Sequence, residues 1–459
     1  MSGGTGRRAL VLGGSIGGLL AARALSESFE RVTVVDRDDL DGTGPRKGVP
    51  QGQHAHAILA KGREVVEELF PGLTADLVDA GALPIDLADL HWHNGPRPMR
   101  RSPADLLALG LSRPALEDYL RARVRTLPNV DIRSGFEAVG LLATPDRSTV
   151  VGATVVDPGS GHTEQLPAEL VVDATGRGNR STVWLSQLGY DPPAEDVVKA
   201  GIIYASREYH RRPLPSGLAG VVTGVSPACP YGVALLPMEG ERWILTLAGF
   251  SHDVPPVDDD GFAAFARRFP IADLHDIVRH APPLTEPKRY RVPASVRRRY
   301  ERMRRLPDGY VAFADALCSF NPIYGQGMTV AAVESAVLLD CVRQRGTNLP
   351  QRFYARAAKV IDTPWDIAVG GDLAFSAVEG RRTLKIRILN AYMRKVLRAT
   401  EVDPAVTLAF LQTINLTHPP HRLFAPGLLR RVLFPSGPKL TGSTRGSDPV
   451  AADLALRQR

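Results

Sequence analysis

The spacing of apolar residues changes repeatedly along the chain, and the changes delimit elements. Ala9-Leu10-Val11-Leu12 is an unbroken apolar run of strand length, followed by a glycine-rich turn, GGSIGG from Gly13 to Gly18, and then by apolar positions from Leu19 to Leu25 at helical spacing. A strand over 9–12, a helix over 17–27 and a strand from Arg31 to Val35, ending at Asp36, make a right-handed β-α-β unit. The loop RKGVPQGQHAHAIL, Arg46 to Leu59, is rich in glycine, proline and histidine and leads into a helix from Ile58 to about Leu69. Ser112-Arg113-Pro114 marks the next helix start, because proline suits the first helical turn. Val130 to Arg133 and Thr149 to Val156 read as strands of a small β-meander, and Leu170 to Asp173 as a buried strand that joins the first sheet.

From about Asp191 to Ala294 the texture is β-rich, with strands predicted at Gly201 to Glu208, Tyr231 to Leu236 and Trp243 to Phe250 and a hairpin turn at Met238-Glu239-Gly240-Glu241. Tyr204, Tyr231, Leu236 and Trp243 are candidate pocket residues on these strands. Gly309 to Ala314 returns to a buried strand, Met328 to Val342 to a helix, and beyond Gly346 the period stays helical to about Leu433. The last ~20 residues, rich in Gly, Ser, Pro and Arg, predict disorder.

Two distant segments carry the chemistry. In the first turn Gly13 permits the tight bend, position 15 lets the chain approach a pyrophosphate, and Gly18 lets the helix pack against the strand, with the helix N-terminus at Ile16 facing the phosphates. Ser15 stands where the usual pattern has glycine; its small hydroxyl fits there or bonds phosphate itself. Asp36, with Arg37 beside it, lies ~20 residues beyond the glycines, where a carboxylate accepts hydrogen bonds from an adenosine ribose. The second segment is Asp315 followed by FNPIYGQG, Phe320 to Gly327. An acid at a strand end can hold ribityl hydroxyls. The turn at Pro322 and the backbone of Gly325, Gln326, Gly327 and Met328 open a helix whose positive end suits anionic reduced flavin. The two segments together point to FAD. His54, His56 and Tyr324 lie close to the flavin-contacting loops and are the acid/base candidates, since histidine can titrate near neutrality. The alternative for each histidine is a neutral ring bonded to backbone in a structured loop.

These readings assemble into an α/β chain. A Rossmann-like FAD-binding domain takes residues 1–85, 103–190 and 295–345; an inserted β-rich substrate domain takes 86–102 and 191–294; a helical region covers 346–440 and a disordered tail 441–459. With 459 residues and 44% hydrophobic content, two or three cores are expected. Charged residues are 23% of the chain and spread along it, so the net charge of +7 reads as a basic surface from scattered arginines, densest at Arg297-Arg298-Arg299, and not as a nucleic-acid footprint. Three distant cysteines without ligand spacing exclude a disulfide framework and a zinc site, fit a cytoplasmic protein and leave no metal expected. No apolar run is long enough to predict a transmembrane span.

On these segments the chain resembles the FAD-dependent aromatic hydroxylases, the class A flavoprotein monooxygenases. Three motifs stand in order over roughly residues 8–345: the glycine turn with Asp36, DATGRGNR at Asp173 to Arg180, and ADALCSFNPIYGQG from Ala314. The stretch RKGVPQGQHAH is most similar to a branch of actinomycete polyketide-tailoring enzymes that includes the polyether polyene epoxidases. The resemblance implies that Asp173 belongs to the cofactor site and that Arg113 reaches the FAD phosphate or ribityl chain. It also implies that the loop from Arg46 and Lys47 to His56 lies beside the flavin. It further implies that NAD(P)H reduces the flavin, and that a C4a-hydroperoxide then hydroxylates or epoxidises an apolar polyketide, terpenoid or aromatic substrate. Two positions depart from the pattern: Ser15, and Ala314 in place of the glycine before Asp315. The W-x-W-x-I-P element of flavin-dependent halogenases does not occur. The main competing class is a non-redox FAD-containing cyclase of the [4+2] dialkyldecalin-forming type, ahead of a pure binding protein.

Overall fold

The computed structural model describes residues 7–250, 253–344 and 346–435; the tail expected over 441–459 lies outside the described residues. The first core is built on five parallel strands in the order Tyr310–Ala312, Leu170–Asp173, Arg8–Leu12, Arg31–Asp36, Val130–Ser134. A parallel strand covered on both faces needs apolar side chains on both, which is why Leu170-Val171-Val172-Asp173 is buried throughout and shows no alternation. Helix Ile16–Ser26 lies on this sheet and packs against helix Gly327–Arg343, so the two segments expected to hold the ends of one ligand are neighbours.

The glycine turn has a steric basis. Gly13 takes φ +101, and a Cβ on Gly18 would stand 1.7 Å from the Gly13 carbonyl oxygen. Ser15, in contrast, has an ordinary extended backbone, φ −84 and ψ −178, so the position that departs from the pattern has no conformational need of glycine.

The second sheet has seven strands in the order Lys288–Val292, Ile202–His210, Arg242–Gly249, Tyr231–Met238, Gly220–Gly224, Leu90–Asn94, Arg97–Pro98. Its central hairpin turns over the three residues between the paired Met238 and Arg242, where Gly240 and Glu241 take φ +68 and +54. Thr246 pairs with Ala234, Ala234 with Val222 and Val222 with Trp92, and this row lines a cavity. Side chains one residue away point to the opposite face. Tyr204 and Leu236 therefore line the cavity as expected, whereas Tyr231 and Trp243 pack on the far face in a separate core with Phe262, Phe265 and Phe269.

Two further expectations are corrected. Val130–Ser134 and Val150–Val156 do not share a meander: the former is an edge of the parallel sheet, and the latter is the middle strand between Glu137–Ala143 and Thr163–Pro167. The β-rich region also contains two helices, Asp259–Ala266 and Ala272–His280, the first capped by the Asp258 side chain accepting from the Gly261 N–H. After Gly346 the described residues are helical, with long helices at Leu349–Asp372, Leu384–Thr400, Pro404–Ile414 and Pro426–Leu433. Ile386, Leu389, Met393, Phe410 and Ile414 of these helices form the wall of the cavity facing the sheet.

Gly18→Ala is expected to destabilise the chain by about 3 kcal/mol or more, because backbone and not a flexible side chain blocks the added methyl. Gly42→Ala, where a Cβ meets nothing within 4 Å, should change stability by less than ~0.5 kcal/mol. Denaturant unfolding of the two variants checks this, and equal midpoints would contradict it.

Candidate functional site

One cavity of about 1420 Å³ runs from the glycine turn, past the 46–56 loop, to the chamber between the seven-stranded sheet and the C-terminal helices. Every residue expected to hold the cofactor or to act beside it lines this cavity, except Gly18, which sits behind the turn, and Asp173.

The adenosine-side end is organised by a residue the sequence reading passed over. Glu117 is 3% exposed, on helix Arg113–Arg125. Its Oε2 accepts from Ser15 Oγ at 3.0 Å and lies 3.2 Å from Arg113 Nη1. Its Oε1 accepts from Arg121 Nη2 at 3.1 Å and lies 2.7 Å from Arg46 Nε, at an angle too oblique for a hydrogen bond. Ser15 Oγ in turn accepts from Arg113 Nη2 at 2.8 Å, so the serine hydroxyl is already tied into a charged network. Asp36 accepts the Gly14 N–H at 2.6 Å and faces Arg46 Nη1 at 3.3 Å, which holds its carboxylate at the mouth of the turn. Arg46 is thus engaged with carboxylates of the protein, while Arg37 and Lys47 are exposed on the cavity rim.

Asp173 is corrected from cofactor-holding to structural. It is fully buried. Oδ1 accepts from Thr175 N at 3.0 Å and Thr175 Oγ1 at 2.6 Å, and Oδ2 accepts from Tyr310 OH at 3.0 Å and from Ser181 Oγ. With four donors on it, the carboxylate shapes the turn whose Gly176, Arg177 and Gly178 line the cavity. Asp315 does line the cavity, 3.5 Å from Arg177 Nε. Before it, Ala314 takes φ +52, a left-handed conformation that costs alanine roughly 1 kcal/mol. Its N–H donates to Glu334 Oε2 at 2.8 Å. Glu334 is fully buried with Oε1 unpartnered, and burial pushes its pKa up to about 8.

At the other end His54 Nδ1 shares a 2.8 Å hydrogen bond with Ser206 Oγ, which bonds Thr246 Oγ1 at 2.6 Å. His56 Nδ1–H donates to the His54 carbonyl at 2.8 Å, leaving Nε2 as an acceptor. Burial, aided by Lys288 for His54 and by Arg113 for His56, lowers their pKa values to about 4 and about 3. His56 keeps some contact with solvent through the cavity, yet protein surrounds its ring, and the downward direction holds for both. Titration near neutrality is therefore not what these histidines do; both stay neutral. The Tyr324 hydroxyl donates to Asp372 Oδ1 at 3.0 Å, which also accepts from Asn321 Nδ2 at 2.9 Å. Asn321 Oδ1 accepts from Tyr204 OH at 3.2 Å. Asp372, another residue with no sequence signal, is fully buried and raised to about 6 by burial.

A dinucleotide fits these residues. Helix Gly327–Arg343 opens onto the cavity, and Gln326 Oε1 is buried there without a hydrogen-bond partner, an acceptor suited to a ring N–H.

No protein-family model matches the chain. A curated relative does: Protein Rv3254 of Mycobacterium tuberculosis (strain ATCC 25618 / H37Rv) is 34% identical over 445 residues, covering 89% of each protein. The chain belongs to the family of Protein Rv3254. Its fold is one shared by solved flavoproteins. A flavoprotein/dehydrogenase from Cytophaga hutchinsonii superposes with a TM-score of 0.66 at 14% identity, over 93% of this chain and 96% of its own. The flavin-dependent brominase Bmp2 gives 0.65 at 15%, over 89% and 92%. The Diels-Alderase PyrE3 of pyrroindomycin biosynthesis gives 0.58 at 16%, over 89% and 80%. One fold thus carries several reactions, so function has to be argued from the site.

Removing the shared carboxylate should loosen the whole adenosine-side end. Glu117→Ala leaves three guanidinium groups without their common acceptor, and a loss of about 3–5 kcal/mol is expected; denaturant unfolding checks it, and a loss below ~1 kcal/mol would contradict the network's role. Glu334 has the opposite pH sign to an ordinary paired acid. Its folded pKa lies above its usual 4.5, so its contribution is complete below about 4.5 and is lost as pH rises through about 8. Glu334→Gln, which keeps an acceptor for the Ala314 N–H, should flatten that decline in unfolding midpoint between about pH 4.5 and about pH 8; an unchanged slope would contradict the assignment.

Proposed function

We propose that the chain is an FAD-dependent monooxygenase that uses NAD(P)H and O2 to hydroxylate or epoxidise a polyketide-like or aromatic secondary metabolite. The observation that carries this reading is the continuity of the cavity. Its 1420 Å³ exceeds the roughly 300–1,000 Å³ of single-ligand pockets, so cofactor and apolar substrate have room end to end.

FAD would supply electron storage and oxygen activation. The chain's residues bind, orient and exclude water. Gly13, Ser15, Ile16 and Asp36 hold the adenosine and pyrophosphate end in this reading, with Arg113 behind them, and Asp315 holds the ribityl chain. The backbone from Gly325 to Met328 faces the head group, and the helix N-terminus favours its reduced, negative form. His56 orients a donor through Nε2 and takes no proton at neutral pH, and Tyr324, fixed by Asp372, presents its oxygen to the cavity. Leu90, Trp92, Leu236, Met393 and Phe410 line the chamber and select an apolar substrate. Oxygen transfer to an alkene needs no general base, so an epoxidation reading makes no acid/base demand on these histidines.

A second reading, the non-redox FAD-containing cyclase, is favoured by Ala314: it places a methyl where the monooxygenase pattern has glycine. A Cβ on Gly17 would stand only 3.0 Å from that methyl, which shows how near it lies to the dinucleotide turn. Anaerobic mixing of the FAD-loaded protein with NADH and with NADPH, in the presence of polyene or aromatic ligands, separates the two. Bleaching of the flavin by one nicotinamide, then oxygen-dependent nicotinamide consumption stimulated by ligand, is expected. An unbleached flavin together with a cyclised product of unchanged mass would replace the monooxygenase with the cyclase.

A further inference from the structure

Helix Leu384–Thr400 has two apolar faces. One is the cavity wall, where Ile386, Leu389, Met393 and Leu397 recur at helical spacing. The other points outward and exposes Leu384 at 72% and Ile388 at 60%, among the most exposed large hydrophobic residues described. Leu384, Ile388 and Tyr392 follow one another at i, i+4 spacing, and the Tyr392 ring stacks on Phe424 at 4.5 Å, which itself lines the cavity. An apolar stripe therefore leads from the surface to the cavity edge. A second exposed apolar pair, Leu433 and Phe434 at 40% and 73%, ends helix Pro426–Leu433, which packs on the same helix.

The charge around this stripe is one-sided. Residues 381–435 hold ten Lys and Arg against two acids, more than the surplus of seven carried by the entire chain. Lys385 pairs with Asp366 and Arg431 with Asp403, while among the described residues Arg387, Arg394, Lys395 and Arg398 have no ion-pair partner; all four are exposed. Isolated exposed leucines need no explanation, but an apolar stripe set among unpaired cations does.

The geometry points to a docking face for an anionic lipid surface, on which Leu384, Ile388 and Phe434 enter the headgroup region and the cations pair with lipid phosphates. A second copy of the chain would bring like charges together. A folded acidic protein would match the charge yet has no need of protruding aliphatic and aromatic side chains on separate helices. No described helix is long and apolar enough to cross a membrane, so the contact lies in the surface plane. Docking in this form goes beyond the reaction assigned above and does not depend on it. Its consequence for that site is that a lipophilic substrate reaches the cavity along Tyr392 and Phe424 without leaving lipid.

Sedimentation of the full chain with phosphatidylcholine vesicles, and with vesicles containing about one-third phosphatidylglycerol, tests this directly. Partitioning to the anionic vesicles is expected to exceed the neutral ones by about tenfold or more and to fall steeply as salt rises toward ~0.5 M. Arg394→Glu with Lys395→Glu, and separately Leu384→Ser with Ile388→Ser, should each lower partitioning about tenfold while far-UV circular dichroism stays that of the parent. Arg387→Glu with Arg398→Glu serves the same purpose if the first charge pair fails to fold. Equal binding to both vesicles, or anionic binding untouched by charge reversal, would overturn the proposal. Self-association or capture of an acidic protein, each lost in the Leu384→Ser, Ile388→Ser variant while vesicles are ignored, would overturn it as well.

Discussion

Three guanidinium groups converge on one buried carboxylate, and the adenosine-side end of the cavity takes its shape from that convergence. Glu117 binds the glycine turn through Ser15, the 46–56 loop through Arg46 and its own helix through Arg113 and Arg121. A buried charge is tolerable only when its partners are complete, so each of these segments is held in place by the electrostatic demand of the others. The turn, the loop and the helix come from distant parts of the chain, and this shared acceptor joins all three at one point. Asp36 extends the same logic, because the backbone N–H it accepts belongs to the turn and the guanidinium it faces belongs to the loop.

The opposite end is held by different means. Alternation along the central strands sends the row through Trp92, Val222, Ala234 and Thr246 to the chamber, and much of the next row to a separate core against two short helices. Three polar groups of the chamber are paired within the protein: His54 with Ser206, His56 with a carbonyl, Tyr324 with Asp372. Pairing of that kind keeps every one of them uncharged or fixed, and it leaves the C-terminal helices to supply apolar surface and to shut out water.

The parts legible in the sequence were those where chemistry and local backbone coincide. Gly13 and Gly18 are required by sterics that a two-turn pattern displays, and Asp36 and Asp315 sit at strand ends that the apolar runs announce. Glu117 and Asp372 were missed because their roles come from burial and from partners far away in sequence. Arg113, Glu117 and Arg121 do stand at i, i+4 and i+8, but on an exposed helix the same spacing would mean little. Asp173 went astray for the converse reason: its motif predicts a place near the cofactor, and the side chain turns into the sheet instead. The helices at Asp259–Ala266 and Ala272–His280 fall in a region read as β-rich from its strands, although Asp258 is a helix cap. The charge was visible from the start, but a whole-chain balance conceals that its surplus falls in one region.

These two ends give the cavity an electrostatic gradient. Arg37, Lys47, Arg46 and Arg113 stand at the dinucleotide end, and histidines held neutral by burial stand at the chamber end. A ligand with an anionic bridge and a largely neutral head fits such a space better in one direction, because reversal would bring phosphates among apolar side chains. The same gradient decides where a substrate can wait. An apolar molecule gains from the chamber and nothing from the charged end, so a charged and an apolar ligand would be sorted within one continuous space without a wall between them. That economy also explains why a carboxylate as deeply buried as Asp372 is placed behind Tyr324 and away from the cavity surface. It fixes the hydroxyl by a hydrogen bond while its own charge stays out of the chamber, and the chamber keeps the neutral character on which the sorting depends.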